Sequence, residues 1–224
     1  MNSRYILGID TSNYKTSVAI IDTECNILCD LRRFLTVKEG EKGLRQSDAL
    51  FQHIRNLPEL LEEAMSDNNY HIGAISFSSK PRPVKNSYMP VFFAGESYAR
   101  SLAAVLSIPS FAFSHQEGHI EAIKAFSKHS NKKELLACHF SGGTCEMLSV
   151  KSKHTGYDID IIGGSKDISF GQVIDRTGVQ LGMSFPAGEE MDRLAIATDA
   201  ITSFLTPVKV KEGWTHLSGI DTQI

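Results

Sequence analysis

The chain has 224 residues, 42% hydrophobic and 22% charged, with a formal net charge of −3. These values fit an ordinary globular protein and exclude a wholesale basic surface, so nucleic-acid contact must come from a local patch or from partner proteins. Met1 to Gly8 has no apolar stretch of signal-peptide type, and no apolar run is long enough to cross a bilayer. The four cysteines, Cys25, Cys29, Cys138 and Cys145, form no paired CxxC set. Reduced thiols in a cytoplasmic protein are the expectation.

In chain order, Tyr5 to Ile9 reads as an apolar strand ending in the turn-prone Asp10-Thr-Ser-Asn13. Thr16 to Ile21 and Cys25 to Phe34 continue as extended segments, which predicts an antiparallel meander. Ser47 to Met65 reads as a helix, with Leu50, Ile54, Leu57, Leu61 and Ala64 at helical spacing and Pro58 expected to kink it. Ile72 to Phe77 is a buried-type strand, Gly95 to Leu106 a helix, and Pro109 to Ser114 another strand leading into a helix-like run from Ile120 to Phe126.

The pattern then restarts. Leu135 to Phe140, the turn Ser141-Gly-Gly-Thr144, Glu146 to Val150 and Tyr157 to Ile162 predict a second meander. Gly171 to Leu181 and Glu189 to Ala197 look helical. A meander followed by alternating strands and helices, begun twice, points to an α/β fold of duplicated ribonuclease-H-like lobes of the actin-like and sugar-kinase-like kind. The expected division is a first lobe over 1–130 and a partial second lobe over 131–224. The second lobe is expected to be incomplete, since Gln46 to Phe126 has no counterpart after it. Apolar edges in such a lobe would favour poor solubility or dimerisation.

Four groups of residues carry candidate chemistry. Asp10, Thr11 and Ser12 end a strand with a carboxylate and hydroxyls, suited to a hydrated cation or a phosphate; a capped β-turn explains them too. His115 and His119 in His-Gln-Glu-Gly-His share one face if helical and could grip one ion, or could be two solvent-exposed histidines. The spacing is not the metalloprotease HExxH, in which Glu directly follows the first His. Ser141-Gly-Gly-Thr144 could bring backbone amides to an anion, or form a plain type I′ hairpin. Asp175 and Asp192 could hold ribose hydroxyls, or sit as helix-end surface charge.

Together these motifs resemble the tRNA adenosine threonylcarbamoyltransferases, once called O-sialoglycoprotein endopeptidases. Ile6 to Ser12 looks like the family's opening strand and turn, Ser114 to His119 its metal motif, and Phe140 to Thr144 its substrate-binding turn. Gly171 to Arg176 and Phe185 to Asp192 look like its ribose and adenylate contacts. The resemblance implies transfer of threonylcarbamoyl from threonylcarbamoyl-adenylate to N6 of the adenosine 3′ of the anticodon in tRNA. It implies one divalent metal, iron or zinc, on His115 and His119. Phe140, Ser141, Gly142, Gly143 and Thr144 would lie against the substrate, which is threonylcarbamoyl-adenylate or ATP/AMP. Asp175, Gly188 and Asp192 would hold its nucleoside, and companion subunits would help to bind tRNA.

The chain also departs from the family's pattern. The segments bearing its third metal ligand, an Asp, and an adenylate-binding Asn are expected to be missing. Thr144 stands where the family has His, and Asn13-Tyr-Lys15 replaces an acidic turn. Ser79 to Pro90 replaces a Gly-rich loop and brings in Lys80, Arg82 and Lys85. A non-catalytic, actin-like-fold partner subunit of the same complex is the second reading, and an actin-like kinase or ATPase the third.

Overall fold

The computed structural model describes residues 4–12, 14–37, 44–66, 70–198 and 204–224. It divides into two compact units, Met1–Ser130 and Asn131–Ile224.

In the first unit β1 (Tyr5–Ser12), β2 (Lys15–Ile21) and β3 (Ile27–Phe34) form the antiparallel meander. β4 (Ile72–Lys80) and β5 (Ser110–Ser114) add in parallel, giving the order β3-β2-β1-β4-β5. β1 pairs with β2 so that Leu7 faces Ile20, Ile9 faces Val18 and Thr11 faces Thr16, and all six side chains are buried. The period of two thus lines one sheet face and turns Asp10 to the other. Helices α1 (Gln46–Ser66) and α2 (Phe92–Leu106) cover the buried face, with Leu57, Leu60, Ala99 and Ala103 packed against Leu7, Val18, Ile20 and Ile75.

Helix α1 runs unbroken through Pro58. A proline there removes the N–H that would reach Ile54 O, four residues back. The Tyr98 hydroxyl from α2 donates to that carbonyl instead, at 3.3 Å. Helix α3 (His115–Ala125) starts five residues earlier than the apolar pattern indicates, because Ser114 and Glu117 form a capping box.

The polar end of the β1–β2 face is closed by His53, which is fully buried. Thr16 Oγ1 accepts from Asn56 at 3.1 Å and lies 2.9 Å from His53 Nδ1, in hydrogen-bond contact. Burial pushes the His53 pKa down, against smaller upward pulls from the Ser12 backbone and the Asp10 charge. The unfolded chain therefore takes up a proton that the folded chain refuses. The stability contributed by neutral His53 is complete above about pH 6.5 and is lost as pH falls below it. Melting temperature between pH 8 and pH 5.5 should fall more steeply for the wild type than for His53→Gln; equal slopes would refute this.

In the second unit β6 (Glu134–Phe140), β7 (Cys145–Ser152) and β8 (Tyr157–Ser165) form another antiparallel meander. The repeat diverges after that. The short β9 (Trp214–Thr215) pairs in parallel with β8, whereas β4 joins the first strand of its own meander. The order is β6-β7-β8-β9, so β6 has no neighbour on its outer side among the described residues. Helices α4 (Phe170–Gln180), α5 (Gly188–Ile196) and α6 (Ser218–Asp221) complete the unit. Leu217, wholly buried, packs with Cys145 and Val173.

Asp167 ties this C-terminal segment to the β8–α4 loop, accepting from the Leu217 and Ser218 amides at 2.8 and 3.1 Å. Burial raises its pKa, but bonds from Ser218, Ile168, Ser165 and Leu217 outweigh that and hold the carboxyl well below the usual range.

Candidate functional site

The two candidate constellations lie in different units, and each is built by its own local structure. In the first unit the capping box at Ser114 fixes where α3 begins. Glu117 accepts from Ser114 N and Oγ, both at 2.8 Å, and is buried in doing so. His115 and His119 consequently occupy the first and second turns, four residues apart on one face. Their Nε2 atoms lie 2.9 Å apart. That is the distance of a hydrogen bond in which one ring donates its Nε2–H to the other; a tetrahedral ion bound at ~2.0–2.1 Å would hold the two nitrogens about 3.3 Å apart, so the rings face one point and would have to open slightly to share an ion.

Asp10, delivered by the end of β1, bonds to His115 Nδ1 at 2.9 Å across 105 residues of sequence. Burial raises the Asp10 pKa, but hydrogen bonds from His115, Ser78 and Ser12 and the His115 charge more than cancel it, leaving the carboxyl below its ordinary value. An ionised Asp10 accepts the Nδ1 proton of His115 and leaves the Nε2 lone pair outward, the arrangement of a carboxylate–histidine–metal triad. Asp10 is therefore placed behind the first histidine and engaged by it. Among the described residues no group of three or more His, Cys, Asp or Glu side chains is placed to hold a metal ion.

Thr11 does not face a ligand. It is fully buried, donates to Val91 O at 2.9 Å and accepts from Gly95 N at 3.1 Å, joining β1 to the start of α2. Ser12 points toward Asp10, and Asn13 lies outside the described residues.

In the second unit Ser141-Gly-Gly-Thr144 is a four-residue loop between the paired Phe140 and Cys145. The type I′ alternative fails: that turn needs positive φ at both central residues, and neither Gly142 nor Gly143 has it. A Cβ on either would meet nothing within 4 Å, so the fold itself does not demand glycine there. The Gly143 and Thr144 amides turn inward to Ser141 Oγ, at 3.3 and 3.0 Å. Phe140 is half exposed and stacks edge-on with Phe170.

Helix α4 abuts this loop. Its cap, Ser169, bonds with Gln172 in a second capping box and donates to Gly142 O at 2.6 Å. Further along α4, Asp175 Oδ1 accepts from Ala187 N at 2.9 Å, which seats the start of α5 and brings Gly188 beside Asp175. Asp192 is exposed one turn along α5, on the face of Gly188. Half of the Asp175 carboxylate thus has a structural task.

Sequence spacing identifies the histidines and the Gly-Gly turn but not Ser78, Glu117, Asp167 or Ser169. For Glu117 and Ser169 the signal is present, as Ser-x-x-Glu and Ser-x-x-Gln.

The meander with parallel strands added beyond β1, followed by a second meander, defines an α/β protein of the actin-like and sugar-kinase-like class. Residues 39–224 match the TsaD family, described as tRNA N6-adenosine threonylcarbamoyltransferase, and the chain belongs to that family. It is 28% identical over 227 residues to the tRNA N6-adenosine threonylcarbamoyltransferase of Neorickettsia sennetsu, covering 100% of this chain and 66% of the relative. Against that of Streptococcus gordonii it is 29% identical over 201 residues, covering 87% and 56%. The chain thus spans between about half and two thirds of the length of these curated relatives. Among solved structures it is similar to YeaZ from Pseudomonas aeruginosa (15% identity, TM-score 0.43, 70% of this chain and 64% of the other). It is also similar to the ethanolamine utilization protein EutJ from Carboxydothermus hydrogenoformans (13%, 0.49, 87% and 62%). No helix among the described residues is long and apolar enough to cross a membrane.

Proposed function

We propose that this chain takes part in transfer of a threonylcarbamoyl group from threonylcarbamoyl-adenylate to N6 of the adenosine 3′ of the anticodon in tRNA. In that reaction N6 attacks the carbamoyl carbon and gives up one proton, the bond from that carbon to the phosphate oxygen breaks, and AMP leaves. The observation that carries the reading is the convergence of the two Nε2 atoms with Asp10 bonded behind His115. Family membership supplies the reaction class.

His115 and His119 would hold one divalent iron or zinc ion. A bound ion would supply Lewis acidity and orientation for the carbamoyl oxygen. Asp10 keeps the His115 proton on Nδ1, and His119 must likewise carry its proton on Nδ1 for both Nε2 lone pairs to face a cation. In the second unit the open Gly142–Gly143 surface would receive the acyl phosphate, with Phe140, Ser141 and Thr144 around it. Asp175, the Gly188 backbone and Asp192 would hold the ribose. Companion subunits would contribute to tRNA binding.

Metal analysis of the purified chain tests this reading. The wild type should carry iron or zinc, and a His115→Ala, His119→Ala double variant should carry none. Equal metal content in both would sink the site. A metal-free wild type that forms a stable heterodimer with a full-length transferase would establish the partner-subunit reading in its place.

A further inference from the structure

Strands β6 and β7 carry a pair of sulfur donors that takes no part in the chemistry above. Their antiparallel register sets Cys138 opposite Met147 and Phe140 opposite Cys145, so these four side chains rise from one face of the sheet. The Cys138 thiol donates to the Met147 thioether, with the two sulfurs 3.3 Å apart. The strand pairing alone creates this contact, since no sequence motif links the two positions.

The pair sits at the surface. Cys138 is exposed and Met147 is half-buried. Leu136 and Phe140, two positions to either side of Cys138 on the same face, give it apolar flanks that are themselves half-exposed. The other thiols are placed differently. Cys145 is buried against Val173 and Leu217, and Cys25 and Cys29 belong to the first unit.

Donor chemistry decides what such a pair can hold. A structural zinc ion takes four protein ligands, and among the described residues no group of three or more His, Cys, Asp or Glu side chains is placed to supply them. Thiolate and thioether are soft donors that select copper(I), a closed-shell ion that needs only two or three sulfurs. At ~2.3 Å for each metal–sulfur bond and an angle near 120°, the sulfurs would stand about 4.0 Å apart. The pair must therefore open by about 0.7 Å, which the three side-chain torsions of a methionine allow. Binding replaces the Cys138 thiol proton, which passes to solvent, so the thiolate–copper(I)–thioether unit is neutral and suits its apolar flanks.

We infer that Cys138 and Met147 form a surface site for a soft monovalent metal ion, copper(I), in the second unit. Anaerobic competition for copper(I), supplied as its acetonitrile complex, between the full chain and the chelator bicinchoninate tests this. The assay is run on the wild type and on the His115→Ala, His119→Ala variant, because imidazoles also take copper. Both should retain one ion per chain. Cys138→Ser should lose it. Met147→Leu, which keeps the apolar volume, should surrender it at lower chelator concentration. Cys25→Ser with Cys29→Ser should match the wild type, and melting curves show which variants are folded. No retention by the wild type, its loss in the histidine variant, unchanged retention by Cys138→Ser, or wild-type affinity in a folded Met147→Leu protein would each overturn the inference. None of these outcomes depends on whether iron or zinc binds at His115 and His119.

Discussion

Replacing Asp10 with alanine should weaken the metal binding proposed for the histidine pair by about 10- to 100-fold, the usual consequence of losing a carboxylate behind a ligating imidazole. The interaction at stake is the 2.9 Å bond to His115 Nδ1. Without it the ring can turn about its side-chain torsions and can carry its proton on Nε2, the atom that must stay bare. Asp10→Asn keeps an acceptor oxygen but removes the charge, and should fall between wild type and Asp10→Ala. Competition titration against a chromophoric chelator measures both, with a melting curve to show that the first unit remains folded. Wild-type metal affinity in a folded Asp10→Ala protein would show that Asp10 merely occupies space beside the ring.

The second large effect is expected at Gly171, where helix propensity and packing point in opposite directions. Alanine at a helical position is favoured over glycine by about 1 kcal/mol. Here an added Cβ would sit 2.5 Å from Gly142 Cα and 2.8 Å from both Gly142 N and Ser141 O. Those are backbone atoms and cannot swing aside, so the steric term wins and either the loop or the helix must move. Gly171→Ala should destabilise the second unit by about 1–3 kcal/mol, as overpacking does, and disturb the Ser169–Gly142 bond. Gly142→Ala is the matched control. Its Cβ meets nothing, so stability should hold while AMP affinity drops if a ligand lies against the loop. Calorimetric melting and AMP titration of the two variants decide the matter, and a Gly171→Ala protein as stable as wild type would refute the packing argument.

Much of the first sheet is legible in the sequence because β1, β2 and β4 are short segments rich in apolar residues and bounded by turn formers. Helix α3 is longer than its apolar pattern: His-Gln-Glu-Gly-His has no apolar periodicity, and its helical start is written only in the Ser114–Glu117 cap. Elements β9 and α6, of two and four residues, have no periodicity to read, and Asp167 caps α6 across about fifty residues of sequence. At the site, the histidine pair is legible as an i, i+4 spacing. The bond from Asp10 is not, because it depends on β1, β4 and β5 lying side by side. Thr11 misleads for the same reason, since a hydroxyl at a strand end resembles a phosphate ligand until the helix above it is in place.

Among the described residues no strand lies outside β6, and that margin has a consequence in solution. Its seven residues, Glu-Leu-Leu-Ala-Cys-His-Phe, include no proline and no lysine, the residues that blunt exposed strands, and Leu136 and Phe140 are among its uncovered side chains. Such a ribbon is a template onto which any extended backbone can add, another molecule of the same chain included. Concentrating the protein should therefore promote strand-by-strand accretion, and a lysine introduced at Leu136 should keep it dispersed.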